Sequence, residues 1–298
     1  MTAPYEPVPV SVLGRSRPGV RTRNTGFKML LLACIGTGIV ALAVLLVYVV
    51  TKGAPRLNLD LIQRFPSSLP RRAGARSAIF GTIWVVGLTA LFCLPVGVGA
   101  AVYLEEFADR DRWWNRLIEV NIQNLAAVPS IVYGILGLGF LVRGPGGLGF
   151  TVLAAALTLT LLVFPIVVIA SREAIRAVPN SIRLGALALG ATPLQAVRTQ
   201  VLPAAVPGIA TGSILALSRA IGEAAPLLLV GAYSFITFNP SGPDSAFTVL
   251  PVQIFNWISR PQAEFEVLAA AASVVLVGIL LLMNSVAIWL RNRYQRKW

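Results

Sequence analysis

Six long apolar runs alternate with polar stretches along the chain, at about 27–50, 79–104, 121–142, 148–170, 204–236 and 267–290. Each is long enough to cross a bilayer as a helix, which takes roughly 20 apolar residues. Pro95, Pro129, Pro165, Pro207 and Pro226 lie inside these runs. Lipid-embedded helices tolerate proline because neighbouring helices and side chains satisfy the freed carbonyls. The fifth run is longer than a span requires, and Pro207 and Pro226 are expected to bend or break it. The pattern predicts an all-α membrane protein of six transmembrane helices.

One polar interruption, Ser171 to Pro203, is larger than a simple connection between spans needs. Asn180 or Ser181 is placed to cap a helix beginning near Ile182. Gly190 suits its stop, since glycine takes the left-handed conformation at low cost. Thr192 and Pro193 then restart a helix, with the threonine as cap and the proline at the first position, and Pro203 is expected to end it near Leu202. Gly185, Ala186, Ala188 and Gly190 make the first helix slim, while Ile182, Leu187 and Leu189 supply apolar contact. Two readings of this elbow stand side by side. It docks into a groove on another protein, or it lies flat against its own bundle.

The composition agrees with a membrane location: 56% hydrophobic and 12% charged, against about 25% charged in soluble domains. The net charge of +13 does not point to nucleic acid. Most basic residues flank apolar runs, where they set topology and touch anionic lipid. Arg15, Arg17, Arg21 and Arg23 precede the first run, Lys28 stands at its start, and Arg291, Arg293, Arg296 and Lys297 follow the last. With an even number of spans, the positive-inside rule puts both termini, and the connections 105–118 and 171–203, in the cytoplasm. The first outer connection runs against the rule, carrying Lys52, Arg56, Arg64, Arg71, Arg72 and Arg76. Residues 1–27 are polar and basic and are expected to be a disordered cytoplasmic tail. After them come a first helix with its basic outer loop (28–74), a transmembrane domain (75–290) and a short cytoplasmic end (291–298).

The chain has no histidine, which excludes a His-based metal site or proton relay, and no metal site or catalytic residue is predicted. Cys34 and Cys93 both sit in apolar runs, as small core residues do. No glycine-rich loop ending in Gly-Lys-Ser/Thr occurs, so any ATP-driven process draws on another subunit. Arg219 and Glu223 are the ionisable residues placed deep in a span. Charge there is costly and calls for a partner or water. Four residues apart on a helix, the two are within pairing reach. They form either a structural ion pair or an anion site that opens when the pair loosens, arginine suiting an oxyanion through its planar fork. Ser130 in the third run is a further donor toward such a pathway.

The spacing in the elbow resembles the cytoplasmic "EAA" loop of permease subunits of ATP-binding cassette (ABC) importers. It matches at Ala186, Gly190, Leu202 and Pro203 and departs at Leu184, Gly185 and Gln200. Val128-Pro129-Ser130-Ile131-Val132-Tyr133-Gly134 and Ser218-Arg219-Ala220-Ile221-Gly222-Glu223-Ala224-Ala225-Pro226 are similar to segments of phosphate-specific permeases. The run from Leu250 to Pro261 resembles the PstA type of subunit rather than its PstC-type partner. The resemblance implies a type I importer bundle with a cytoplasmic coupling-helix loop. Its ATPase coupling would run through Gly185, Ala186, Leu189, Gly190, Leu202 and Pro203, and its phosphate pathway past Arg219, Glu223 and Ser130. It also implies a homologous second permease subunit, two copies of a cytoplasmic ATPase that binds ATP and Mg, and an extracytoplasmic phosphate-binding protein. This chain itself would carry no cofactor. Alternatives are another oxyanion (sulfate, molybdate or a phosphonate) as cargo, or an ion-coupled carrier. No inverted repeat of the kind common in such carriers is visible.

Overall fold

The computed structural model describes residues 18–109, 111–233 and 235–294. Expectations for residues 1–17 and 295–298, Arg15, Arg17, Arg296 and Lys297 among them, lie outside the described residues. The chain divides into two compact units, Met1–Thr51 and Lys52–Trp298. The described residues of the first lie in one helix, α1 (Pro18–Gly53). It begins well before residue 27, so the stretch from Pro18 to Phe27 is helical rather than part of a disordered tail. Proline is well placed at a first helical position, and a helix already nucleated extends through ordinary polar residues at little cost. The apolar residues of α1 from Phe27 to Val50 are exposed, half-buried Val49 excepted, as befits a helix solvated by lipid.

In the second unit, four long helices carry most of the structure: α3 (Arg76–Val102), α6 (Val152–Arg176), α9 (Leu202–Gly222) and α12 (Ala263–Tyr294). A short α2 (Leu59–Gln63), capped by the Asn58 side chain, precedes them. The most enclosed helix is α6, whose Val152, Leu159, Val163 and Val167 are fully buried against α3 and α9. Between α6 and α9 the packing is backbone-close. A Cβ added at Gly208 would lie 2.7 Å from the Ala174 Cβ, and one at Gly212 would overlap the Ala170 Cβ. Small residues four apart on both helices are a standard means of close approach in lipid. Two polar rungs join α9 to α12: the Ser218 and Asn284 side chains at 2.8 Å, and Arg291 donating to the Thr211 hydroxyl at 2.9 Å.

Two expected spans are broken. The third run is not one helix over 121–142. Instead α4 (Trp113–Ala126) meets α5 (Ser130–Leu136), which continues as a π-turn through Val142, at an angle of 106°. Pro129 holds the extended conformation at the break, φ −56° and ψ 137°. Proline lacks an N–H and pushes the preceding residue out of helical geometry. The fifth run ends as a helix at Gly222, and α10 (Ala225–Leu229) adds one further turn. Among the described residues no helix follows until α11 (Leu250–Ile258). Among the described residues, five helices are long and apolar enough to cross a membrane, or six if α4 and α5 count as one bent span.

A second core gathers Leu61, Ala73 and Ala75 from the basic connection with Trp257, Phe265 and Leu268. Trp257 and Phe265 are therefore core residues, whereas Phe255 is exposed. The connection 54–75 is thus a folded cap, held by its apolar residues.

Candidate functional site

The elbow forms at one end of the second unit, between α7 (Asn180–Ala188) and α8 (Pro193–Ala196). Neither Asn180 nor Ser181 caps α7. Pro179 occupies the cap position with no side-chain bond, and Asn180 is already helical. The exit follows the expected chemistry. Gly190 adopts φ +84°, its N–H donates to Leu187 O at 2.9 Å, and the Ala191 N–H donates to Ala186 O at 3.1 Å. This bond pair is the Schellman motif, which needs a left-handed residue at its centre. Two residues on, Thr192 and Gln195 make a reciprocal capping box, at 3.3 Å and 2.8 Å, with Pro193 at the first position.

Pro203 does not end this second helix. A π-turn over Val197–Val201 leads directly into α9, so Leu202 and Pro203 open a continuous path from Pro193 to Gly222. The widened turn shifts the hydrogen-bond register, and a proline at the start of the next segment then costs no bond. The elbow presents an apolar surface: Leu189 is 91% exposed, and Leu184, Leu187 and Leu194 are exposed as well. No residue of α7 is buried, and a Cβ at Gly185 would meet open space.

Behind the elbow lies a charged network. Glu105 and Glu106 sit on a π-turn (Tyr103–Phe107) that closes α3. Arg176 grips Glu105 with two bonds of 3.1 Å, and Arg172 bridges Glu105 at 3.4 Å and Glu119 of α4 at 3.1 Å. Arg183 of α7 forks onto Glu106 at 2.6 Å and 3.0 Å, and also donates to the carbonyls of Val178 (2.6 Å) and Ile175 (2.9 Å). The Glu105 side chain is only 3% exposed, so its charge depends on these guanidinium partners. Sequence reasoning missed this network. Its one sequence signal is a Glu-Glu step closing one apolar run, with arginines clustered after another.

The Arg219–Glu223 pair forms, with Arg219 Nε 3.3 Å from Glu223 Oε1. Its setting differs from the expectation of a mid-span pair on one helix. Arg219 lies in the last turn of α9, and Glu223 just beyond the helix with extended backbone. Around it the two singled-out segments meet. A Cβ at Gly134 would fall 2.7 Å from the Pro226 Cα. Tyr133 is buried in the same cluster as Ala216, Ala220 and Leu227, and its hydroxyl donates to Leu125 O at 2.8 Å across the α4–α5 break. Ser130 begins α5 and is half-buried.

The bundle thus leaves an apolar elbow exposed, with an ion-pair network beside it. The sequence matches the family described as "Binding-protein-dependent transport system inner membrane component" over residues 93–298, and the chain belongs to that family. It is a multi-pass inner-membrane permease component of a binding-protein-dependent ABC importer, and ATP hydrolysis resides in a separate subunit.

Among its relatives is a probable ABC transporter permease, YqgI, of Bacillus subtilis. It is 32% identical over 262 residues, spanning 84% of this chain and 88% of the relative. The phosphate transport system permease PstA of Haemophilus influenzae is 31% identical over 261 residues, spanning 87% and 89%. The fold also matches the crystal structure of a bacterial alginate ABC transporter in complex with its alginate-bound periplasmic protein. There the TM-score is 0.66 at 17% identity, over 89% of this chain and 93% of that one. The architecture is that of the type I ABC importer permeases.

Proposed function

We propose that this chain is a PstA-type permease subunit that passes inorganic phosphate into the cytoplasm. The observation that carries this reading is the meeting of the two phosphate-permease-like segments at Gly134 and Pro226, beside the Arg219–Glu223 pair. The relatives named as phosphate transport permeases support the same cargo. Arg219 contacts the anion in transit through its fork of donors. Glu223 holds the guanidinium in place and competes for it, so phosphate is not trapped. Ser130 contributes a hydroxyl to the same path.

The elbow faces the cytoplasm together with both termini. Its surface around Gly185, Ala186, Leu189 and Gly190 seats the ATPase, which holds ATP and Mg. Leu202 and Pro203 lead from the elbow into α9, the helix that bears Arg219. The assembly is completed by a PstC-type sibling, a second ATPase copy and an external phosphate-binding protein. The test is ATP-dependent uptake by the complete complex in liposomes. Arg219→Ala is expected to lower phosphate uptake about ten- to hundredfold, as loss of a charged hydrogen bond implies, and Arg219→Lys by less. Near-normal uptake by the alanine variant refutes the role of Arg219. Wild-type uptake that excess sulfate, molybdate or a phosphonate abolishes, and excess phosphate does not, refutes the cargo.

A further inference from the structure

Arg183 lies on α7 but belongs to the bundle rather than to the apolar docking surface. Its side chain is 20% exposed and that of Glu106 is 9% exposed, against 91% for Leu189 six residues further on. One guanidinium closes three contacts at once. It forks onto both oxygens of Glu106 at the end of α3, and caps the carbonyls of Ile175 and Val178 where α6 ends. A planar, doubly bonded fork resists displacement in both directions, which an apolar contact does not. Glu106 in turn adjoins Glu105, which Arg172 and Arg176 tie to α6.

We propose that the Arg183–Glu106 pair is the strut that carries motion of α7 directly into α3, beside the backbone route through α8 into α9. Arg183 and Glu106 are thus positioning residues for transport. A push on α7 reaches three helices of the bundle together, α6 and α9 through the chain and α3 through the ion pair. The same strut conducts in the opposite sense, since coupling between two sites is reciprocal. An event on the far face of the bundle therefore reaches the ATPase through it. This inference rests on reading α7 as the element that seats the ATPase.

The test uses the complete complex in liposomes, with Arg183→Ala, Arg183→Lys, Glu106→Gln and the double variant Arg183→Ala/Glu106→Gln. Three quantities are measured: ATPase retained on purification, phosphate taken up per ATP hydrolysed, and stimulation of ATP hydrolysis by the external binding protein. The ATPase is expected to stay bound. Uptake per ATP and stimulation each fall by about tenfold in Arg183→Ala and in Glu106→Gln. Arg183→Lys, which keeps the charge and loses the fork, falls between these and wild type. The double variant is no worse than the worse single one, as members of one interaction behave. Unchanged ratios in both single variants, or losses that multiply in the double, overturn the proposal. If Arg183→Ala fails to assemble, the near-isosteric Glu106→Gln decides. A wild-type complex stimulated by its binding protein that moves no phosphate refutes the cargo, and the stimulation measurement still judges the strut. A wild-type complex that retains no ATPase refutes the docking role of α7 and the strut with it.

Discussion

The contact between α6 and α9 sets a quantitative test of the bundle. Replacing Gly212 with valine puts a branched side chain where even a Cβ overlaps the Ala170 Cβ. Ordinary contacts lie at 3.4–4 Å, so the two helices must part by about 1 Å or more, losing dispersion contacts along their length. One turn away, Gly208 approaches Ala174 so closely that α9 has no room to pivot about that point instead. Overpacking of this kind costs about 1–3 kcal/mol. For a chain of this size that lowers the melting temperature by about 3–10 °C. The assay is the temperature at which half of the detergent-solubilised protein leaves the monodisperse peak on gel filtration. A paired variant, Gly212→Ala with Ala170→Gly, moves the methyl group from one helix to the other. It is expected to melt above Gly212→Val and close to wild type, since the roughly 1 kcal/mol cost of a new helical glycine at 170 is offset by the glycine removed at 212. If Gly212→Val melts within about 1 °C of wild type, where the expected shift is several degrees, the close helix approach is refuted.

Two further outcomes concern the elbow. Gly190→Glu forces an L-residue to φ +84°, at a cost of about 1–2 kcal/mol. The turn re-forms, and ATP hydrolysis continues without matching uptake in the complete complex; intact coupling in a folded variant argues against the role of this turn. Leu189→Asp removes the most exposed apolar side chain of the elbow without touching the bundle. It is expected to weaken ATPase retention by about tenfold or more, as a truncated anchor at an interface does, with no change in melting temperature, and unaltered retention removes Leu189 from the docking surface.

What the sequence made legible was local. Gly190, Thr192 and Pro193 act on their own neighbours, and the stop and restart of the elbow came out as their chemistry predicts. The apolar runs are long and unambiguous, so the helical class and most spans followed. Several of the failures have tertiary causes. Pro129 and Pro203 sit in similar apolar surroundings, yet one breaks a helix at 106° and the other begins one. The difference lies in the π-turn that precedes Pro203, and no local signal announces it. Trp257 and Phe265 are buried by residues of the distant 54–75 connection, a contact that no local pattern announces. The candidate site was half visible. Arg219 and Glu223 stand close in the chain and were found, whereas Glu106 and Arg183 are separated by 77 positions and only the fold brings them together.

The elbow between α7 and α8 holds its shape by bonds it makes with itself, at Ala186, Leu187, Thr192 and Gln195. A protein that seats there meets a finished surface, not a segment that must order on arrival. Little of the association free energy is diverted into conformational entropy, so even a modest apolar patch can hold a partner through repeated working cycles. Loosening that self-bonded turn should therefore show first as faster dissociation, with the contact surface itself unchanged.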